Sequence, residues 1–298
     1  MRTGPLTSGA KAETPHDQSK EPMERREFLT LPLAALAVPG LIAAGAGSAR
    51  AATAPVRALK GASNGGSDAL SFRQIRGLNP DWYYTWQSTR TYTGTPFVPM
   101  IKDGRRLLER DALGFVAREL SQTKTKNLLG FNEPDHPLQA NMSVDEAVRL
   151  WPLLQTTGLR LGSPATVGPT SPWLEQFMLR AKRENLRVDF MTMHCYAWPN
   201  SDSFLRKVTA LHEKYQRPIW VTEYAVADWN ATKTRRSIYT RPMVEKFMRE
   251  TVTGMRKMPY VERFAWKNRP INDPIMGTSS LFHLDGTMTS TGKLYASL

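Results

Sequence analysis

Two glutamates, Glu133 and Glu223, each follow a run of apolar and β-branched residues that is typical of a buried strand. The first lies in the segment LLGFNEPDH and the second in PIWVTEYAV. Because an unpaired carboxylate is costly inside a sheet that is buried on both faces, we expect a glutamate there only where the strand opens into a cleft. We therefore interpret the two side chains as a carboxylate pair that acts across one bond.

A carboxylate pair in a cleft supports three kinds of chemistry. It can bind a hard metal ion, share a proton, or cleave a glycosidic bond as acid/base and nucleophile. A metal site of this kind needs more Asp, Glu or His residues at neighbouring strand ends. The sequence offers only His194 there and contains no HExxH pattern. It therefore predicts no metal site, and cleavage of a glycosidic bond by two carboxylates needs no cofactor.

Aromatic residues are concentrated at the predicted strand ends. They are Trp82, Tyr83, Tyr84, Trp86, Tyr196, Trp198, Tyr224, Trp229 and Trp266. Flat sugar faces stack on aromatic rings, so this composition favours a carbohydrate substrate. We predict sugar contacts for Trp86, Trp198 and Trp266. The alternative interpretation is that such residues are large core side chains, and we prefer it for Trp151, Trp173 and Trp220.

After residue 51 the chain alternates short apolar strands with longer amphipathic helices. The eight strand candidates are ALKGASN, PDWYYTW, PFVPMIK, NLLGFNEP, RLGSPATV, DFMTMHCYAW, PIWVTEYAV and ERFAWKNR. Strand followed by helix predicts a parallel sheet, and eight repeats predict an α/β protein with a closed (β/α)8 TIM barrel. By this count Glu133 ends the fourth strand and Glu223 the seventh. Both side chains are therefore expected at the same mouth of the barrel.

Two of these strand candidates leave an alternative open. ALKGASN is short and bounded by glycine, and RLGSPATV is interrupted by Pro164. An open, doubly wound sheet is therefore the second interpretation of the fold. Against it, no G-x-G-x-x-G fingerprint follows an early strand and no G-x-x-x-x-G-K-[ST] motif occurs, so nucleotide chemistry is not supported.

The N-terminal region has the features of an export signal. Arg25 and Arg26 precede a mild apolar stretch over residues 31–46, and small residues at Ala49 and Ala51 follow it. The apolar stretch is shorter than the roughly 20 residues that a membrane span needs, so no stable membrane insertion is predicted. A disordered tail with an accidental arginine pair is the alternative.

These features divide the chain into two parts. We predict a twin-arginine-type export signal over residues 1–51, a single folded domain over residues 52–298, and a periplasmic or extracellular location for a monomeric protein. Translation could start at Met1 or at Met23, and the sequence leaves that choice open.

The chain is strongly basic, with 40 Lys and Arg against 27 Asp and Glu and a net charge of +13. The basic residues are scattered along helix-like stretches and do not form one block with interleaved aromatics, so no nucleic-acid groove is predicted. A cationic surface of this kind favours loose adhesion to anionic cell-wall polymers or membranes. Cys195 is the only cysteine, which excludes an intrachain disulfide, and we interpret it as a small buried hydrophobe.

Several runs resemble a known family of enzymes. They are LLGFNEPD, FMTMHCYAW, WVTEYA, RFAWK and GTSSLFHLDGTMTSTGKLYASL. Together they are similar to the Asl1-like catalytic core of glycoside hydrolase family 128, and the resemblance extends from about Lys60 to the end of the chain. The Asn-Glu and Thr-Glu-Tyr pieces are also shared by the wider clan of retaining barrel glycosidases.

The resemblance implies an activity and a set of site residues. It implies a secreted endo-β-1,3-glucanase on a (β/α)8 barrel that binds a polysaccharide and retains the anomeric configuration. Glu133 is then the general acid/base, Glu223 is the nucleophile, and Asn132 holds a sugar hydroxyl. One departure is Cys195, which stands where the family pattern has an aromatic residue between His194 and Tyr196, so a subsite contact is in doubt.

Two neighbours of Cys195 match the family pattern. His194 and Tyr196 are two residues apart and so share one face of a strand, where Tyr196 can hydrogen-bond Glu223 and keep it ionised. We predict substrate contacts for both, and for Tyr224 as well. For His194 a hydrogen-bonded core histidine is an equal alternative, whereas His136 is interpreted as a surface loop residue.

Three other functions stay open at this point. One is a secreted barrel that binds polysaccharide without cleaving it, although the presence of both glutamates argues against it. Another is a cationic protein that binds polyanions and for which the barrel is incidental. The third is a glycosidase for a different polysaccharide, since loop shape decides linkage. Exo against endo cleavage and preferred chain length are not predicted by the sequence.

Overall fold

The computed structural model describes residues 57–64 and 66–298. Its strands are β1 Leu59–Ser63, β2 Trp82–Tyr84, β3 Asn127–Leu128, β4 Arg160–Leu161, β5 Met191–Ala197, β6 Ile219–Val226 and β7 Val261–Trp266. Its α-helices are α1 Ala69–Leu78, α2 Gly104–Glu109, α3 Ala112–Thr123, α4 Val144–Gln155, α5 Pro172–Arg183, α6 Ser201–Tyr215, α7 Arg241–Lys257 and α8 Ser290–Ser297. A short 3-10 helix covers Gly277–Ser279. The export signal predicted over residues 1–51 lies outside the described residues.

The strands form a closed parallel barrel. One sheet has the order β2-β1-β7-β6-β5, and β3 pairs with β4 in a second sheet. The ring is completed by parallel bridges that join Tyr83 to Phe97, Met100 to Leu129, Asn132 to Ala165, and Gly162 to Phe190. Residues 97–100 therefore form the segment of the barrel wall between β2 and β3. The predicted (β/α)8 barrel is confirmed, and the open doubly wound sheet is wrong.

Prolines explain why some strand segments of the barrel pair with their neighbours only through isolated bridges. Pro99 lies between Val98 and Met100, and Pro164 follows β4. Proline has no N–H to donate to a neighbouring strand, so it interrupts the ladder of hydrogen bonds. The segment that contains it can still occupy its position in the barrel wall. The carbonyl of Pro99 still accepts a hydrogen bond from Leu129 N at 3.0 Å. All eight predicted strand segments are therefore part of the barrel wall, in the predicted order.

The inside of the barrel is filled by a compact apolar cluster. Its buried members are Trp82, Tyr84, Val98, Met100, Leu129, Phe190, Trp220 and Ala265. The rings of Phe190 and Trp220 stack with their centroids 4.1 Å apart. Trp220 is confirmed as a core residue. Because this interior is packed, a substrate cleft can lie only above it, at one end of the barrel.

A second core lies between the barrel and the helices. Trp151 is fully buried there and meets Phe177 edge to face at 5.0 Å, which confirms the interpretation of Trp151 as a core residue. Helix α4, which carries Trp151, is capped at its N-terminus by Ser143, whose hydroxyl accepts a hydrogen bond from Glu146 N at 3.1 Å. Cys195 is also buried, as expected for a small hydrophobe.

Neither a membrane-spanning helix nor a metal-binding cluster occurs in residues 57–64 and 66–298. No helix in that part of the chain is both long and apolar enough to cross a bilayer. The same residues contain no group of three or more His, Cys, Asp or Glu side chains arranged to hold a metal ion.

Candidate active site

An open cleft of about 470 Å³ lies at the carboxyl ends of the strands. Its lining includes Trp86, Asn132, Glu133, Tyr196, Glu223 and Trp229. Glu133 follows β3 and Glu223 lies in β6, so the barrel brings together two carboxylates that are remote in sequence. This is the mouth at which (β/α)8 barrels carry their functional groups.

Glu223 is buried among hydrogen-bond donors. Its Oε1 accepts from Tyr84 Oη at 3.0 Å and from Trp86 Nε1 at 2.7 Å. Its Oε2 accepts from Tyr196 Oη and lies 2.8 Å from Lys267 Nζ. The Tyr196 contact is the one that strand alternation predicts. Four donors therefore hold the carboxylate in a single orientation.

The charge state of Glu223 follows from these partners. Burial by itself raises the pKa of a carboxyl group. Here the charges of His194 and Lys267 and the hydrogen bonds of Lys267 and Tyr196 outweigh burial, and they hold the pKa of Glu223 well below its usual range. Burial and the nearby Glu223 charge raise the pKa of Tyr196 well above its usual value, so this phenol stays a donor. Glu223 is therefore ionised at neutral pH.

Glu133 is held by an unusual backbone. Its φ is +46°, in the left-handed region that non-glycine residues seldom adopt. Glu133 N donates to Ala165 O at 2.6 Å, and the following turn is held by Asp135, which accepts from Val167 N at 3.1 Å and Ser171 Oγ at 2.8 Å. Such strain persists where the surrounding structure over-determines it, which is common at functional sites.

His194 lies between the two carboxylates. Its Nδ1 is 2.8 Å from Glu133 Oε1 and its Nε2 is 3.5 Å from Glu223 Oε1. The β5–β6 ladder pairs His194 with Glu223 directly after a register shift at Met193, which aims the imidazole into the site. The side chain has no exposed surface. The structure thus favours the buried, hydrogen-bonded alternative over the predicted substrate contact.

Two predicted substrate contacts lie outside the cleft. Tyr224 and Trp266 are 0% and 1% exposed, and their rings pack edge to face behind the barrel wall with centroids 4.9 Å apart. Successive side chains on a strand point to opposite faces. Since Glu223 points into the mouth, Tyr224 must point toward the helices. Trp266 likewise follows Ala265 of the barrel interior, and it lines a small separate cavity whose wall also includes Trp86, so neither ring lines the cleft that holds the two glutamates.

The exposed tryptophans differ in position. Trp198, predicted as a sugar contact, is 53% exposed but is not part of the cleft lining. Trp229 is 63% exposed, lines the cleft and donates from Nε1 to Tyr196 O at 3.2 Å. Trp86 lies in the cleft as predicted, with Lys267 Nζ 4.0 Å from its ring centroid. Trp229 is therefore the better candidate for a sugar platform.

Sequence reasoning missed several polar residues of the cleft. They are Lys102, His136, Gln139, Lys267, Arg269 and Asp273. Lys267 had a usable signal, because it lies in the eighth predicted strand, directly after the end of β7, and strand ends carry the functional groups. His136 was interpreted as a surface loop residue; it does lie in a turn and is half-buried, and it also lines the cleft. Gln139 and Asp273 lie on loops without such a signal.

Asn132 has an unsatisfied side-chain oxygen. The residue is 3% exposed, and among the described residues its Oδ1 has no hydrogen-bond partner. A buried acceptor without a partner costs free energy unless something else supplies a donor. Because Asn132 lines the cleft beside Glu133, a ligand hydroxyl can supply it.

Known proteins are similar to this chain in sequence and in fold. The family model described as glycosyl hydrolase catalytic core matches residues 61–295. The chain is 32% identical to an endo-β-1,3-glucanase of glycoside hydrolase family 128, subgroup I, from Amycolatopsis mediterranei, solved with laminaripentaose. The match has a TM-score of 0.69 and covers 80% of this chain and 98% of that one.

Two more distant proteins are also similar. A subgroup II endo-β-1,3-glucanase from Sorangium cellulosum is 24% identical, covers 80% of this chain and 98% of that chain, and has a TM-score of 0.65, which supports the fold. Alkali-sensitive linkage protein 1 of Schizosaccharomyces pombe is 24% identical over 233 residues. The match covers 74% of this chain but only 41% of that longer protein. On the family match and the 32% identical structure, the chain belongs to the glycosyl hydrolase catalytic core family and is a glycoside hydrolase of family 128.

Proposed function

We propose that the protein is an exported endo-β-1,3-glucanase that cleaves with retention, with Glu223 as nucleophile and Glu133 as general acid/base. The observation that carries the proposal is the state of Glu223. It is a buried carboxylate kept ionised by Lys267 and His194, and it faces a second carboxylate across an open cleft. A nucleophile must be ionised and fixed in place before the substrate arrives.

The first chemical step needs one proton and one electron pair. The carboxyl group of Glu133 gives its proton to the glycosidic oxygen, the bond from that oxygen to the anomeric carbon breaks, and a Glu223 oxygen bonds to the carbon. A proton on His194 Nδ1 is directed at Glu133 Oε1, 2.8 Å away, which leaves the other oxygen of Glu133 free to carry the transferable proton.

The second step reverses these roles. Glu133 became a carboxylate when it gave up its proton in the first step, and it now accepts a proton from the attacking water. The water oxygen bonds to the anomeric carbon and the Glu223 oxygen leaves. Two displacements at one carbon restore the original configuration. Lys267 and Tyr196 remain close to the departing carboxylate and stabilise its returning charge.

Substrate positioning is assigned to three residues of the cleft. Asn132 Oδ1 is proposed to accept a hydroxyl hydrogen bond from the sugar at the cleavage position. Trp86 and Trp229 are proposed to lie against sugar faces, because both line the cleft and present aromatic rings. Tyr196 is assigned to Glu223 in the first place, since its hydroxyl is already engaged there.

The choice of β-1,3-glucan rests on relatives. The 31–32% identical structures from Amycolatopsis mediterranei hold laminaripentaose and laminaritriose. The test is incubation of the purified protein with linear β-1,3-glucan and, in parallel, with β-1,4-glucan, followed by chromatography of the products. We expect a series of oligosaccharides from the β-1,3-glucan alone. Release of glucose only would contradict endo cleavage, and products from β-1,4-glucan alone would contradict the linkage.

Export is part of the proposal. The arginine pair at Arg25 and Arg26, the apolar stretch and the small residues near Ala51 support a signal over residues 1–51 and a domain over residues 52–298. Its test is fractionation of cells that produce a variant with both arginines changed to lysine. The unchanged protein is expected outside the cytoplasmic membrane and the variant inside it. Equal export of both would reject a twin-arginine signal.

Lys267→Met is expected to change the pH dependence of activity. Lys267 lies 2.8 Å from Glu223 and helps to hold its pKa down, so removing the ammonium raises that pKa. Because Glu223 must be ionised, the acidic limb of the kcat/KM profile should move to higher pH. Loss of one charge-assisted hydrogen bond should also lower kcat/KM at neutral pH by about tenfold or more. Initial rates across the pH range provide the measurement.

Two variants serve as controls for this result. Lys267→Arg keeps the positive charge and should restore most of the acidic limb. Lys257→Met removes an exposed lysine at the end of α7 and should leave the profile unchanged. A Lys267→Met profile that keeps the original acidic limb would rule out control of the Glu223 charge by Lys267.

A further inference from the structure

A groove separates α5 from α6 on the outside of the barrel. Helix α4 packs against α5, and α6 packs against α7, but α5 and α6 make few contacts with each other. Two cavities occupy the gap, of about 610 Å³ and about 340 Å³, and they adjoin at Lys214 and Tyr215. An ion pair between Lys214 Nζ and Glu175 Oε1, 3.1 Å long, crosses the gap.

The groove runs the length of the barrel wall. At one end it is lined by residues 169–171, which follow β4 on the side of the barrel that carries the catalytic cleft. At the other end it is lined by Lys182, in the last turn of α5, and by Asn185 and Arg217, which follow the ends of α5 and α6. Helix α5 has 12 residues and is therefore about 18 Å long. A groove of this length fits a chain of several sugar units better than a single small molecule.

The charges on the groove have one dominant sign. Its basic side chains are Lys182, Arg206, Lys207, Lys214 and Arg217, and its acidic side chain is Glu175. Within residues 57–64 and 66–298, only Lys214 among these five cations forms an ion pair. Four cations therefore have no acidic partner. A groove lined by one sign of charge concentrates ligands of the opposite sign.

The floor of the groove is apolar and carries one aromatic ring. Met178, Leu186, Val188 and Leu211 contribute the apolar surface. Burial raises the pKa of Tyr215 to about 12, so its hydroxyl stays protonated and can donate. Pyranose rings present C–H faces to such a floor and polar groups to its rims. A nucleic-acid groove uses several stacking rings, and this groove has one.

We propose that the α5–α6 groove is a second polysaccharide-binding site and that it takes a linear polysaccharide carrying carboxylate groups. The cations on its rims pair with the carboxylates, and the floor contacts the sugar rings. The groove lies outside the catalytic cleft, and the two share no lining residue. It therefore holds the enzyme on an acidic polymer without occupying the site of cleavage. This binding does not depend on the glucan linkage that the enzyme hydrolyses.

The test uses the purified protein and immobilised polygalacturonate as the probe. Neutral dextran and double-stranded DNA are immobilised in parallel at the same salt concentration. The groove variant carries Lys182→Gln, Lys214→Gln and Arg217→Gln. The matched control carries Arg73→Gln, Arg76→Gln and Arg105→Gln, which removes three exposed charges from α1 and α2. Hydrolysis of soluble β-1,3-glucan by each variant reports that the barrel is folded.

We expect the groove variant to bind polygalacturonate about tenfold more weakly than the unchanged protein, because three exposed charge pairs are lost. The matched control should change binding by less than about twofold, and dextran should not be bound. Equal losses in both variants would show that overall charge is responsible and would overturn the proposal. Binding of DNA as tight as that of polygalacturonate, lost in the same groove variant, would also overturn it. Hydrolysis should be unchanged throughout.

Discussion

Glu223→Gln is expected to abolish hydrolysis, with kcat for linear β-1,3-glucan lowered by about 10,000-fold or more. The amide is nearly the same size as the carboxylate, but it is neutral and cannot form the ester with the anomeric carbon. Lys267 and His194 lose the charge that they face. The measurement is release of reducing ends, together with thermal unfolding to show that the variant is folded.

The matched control for this variant is Glu119→Gln. Glu119 is also a buried glutamate with a cationic partner, since its Oε2 lies 3.6 Å from Arg90 Nε, but it belongs to α3 and lies outside the cleft lining. Its change should leave kcat within about twofold while testing the general cost of removing a buried carboxylate. A folded Glu223→Gln protein with substantial hydrolysis would remove Glu223 from the role of nucleophile.

Glu133→Gln is expected to have an effect that depends on the leaving group. With glucan, whose leaving group is a poor sugar alkoxide, loss of the general acid should lower kcat/KM by about 1,000-fold. An aryl β-glucoside oligomer with an acidic phenol needs little protonation, so its first step should be nearly as fast as in the unchanged enzyme. The phenol released in the first turnover, followed rapidly by absorbance, measures that step.

The same variant should accumulate the glycosyl ester. With the base gone, water attacks slowly, so a burst of phenol is expected before a slow steady rate. Glu119→Gln again provides the control and should give neither a burst nor a leaving-group dependence. Equal losses of activity toward glucan and aryl substrate would contradict an acid/base role for Glu133 and point to a purely structural one.

Strand alternation predicted some contacts well and was applied incompletely to others. It correctly placed His194 and Tyr196 on one face, and Tyr196 does reach Glu223. The same rule places Tyr224 on the face opposite Glu223, yet the concentration of aromatics at strand ends led to the prediction of a sugar contact. Tyr224 is fully buried against the helices instead. The prediction for Tyr224 gave more weight to the aromatic composition of the strand ends than to strand alternation, which already indicated that the Tyr224 side chain points away from the cleft.

Other features of the site had no local signal. The bridge by His194 depends on the register between β5 and β6, which shifts between Met193 and His194. Register is decided by packing across strands that are far apart in sequence, so a single segment does not show it. Lys267 could be predicted to lie at a strand end, but its partner Glu223 could not. The choice between a buried and an exposed tryptophan likewise depended on neighbouring elements.

The sequence by itself determined the eight strand segments of the barrel, their order, and the end of the barrel at which Glu133 and Glu223 lie. It also carried the resemblance to family 128. These features depend on local hydrophobic pattern and short motifs. The tertiary structure alone decided the charge state of Glu223 and the position of His194 between the carboxylates. It also decided that α5 and α6 stand apart and leave a basic groove. These properties depend on distances between residues that only folding brings together, and electrostatic energy depends directly on such distances and on burial.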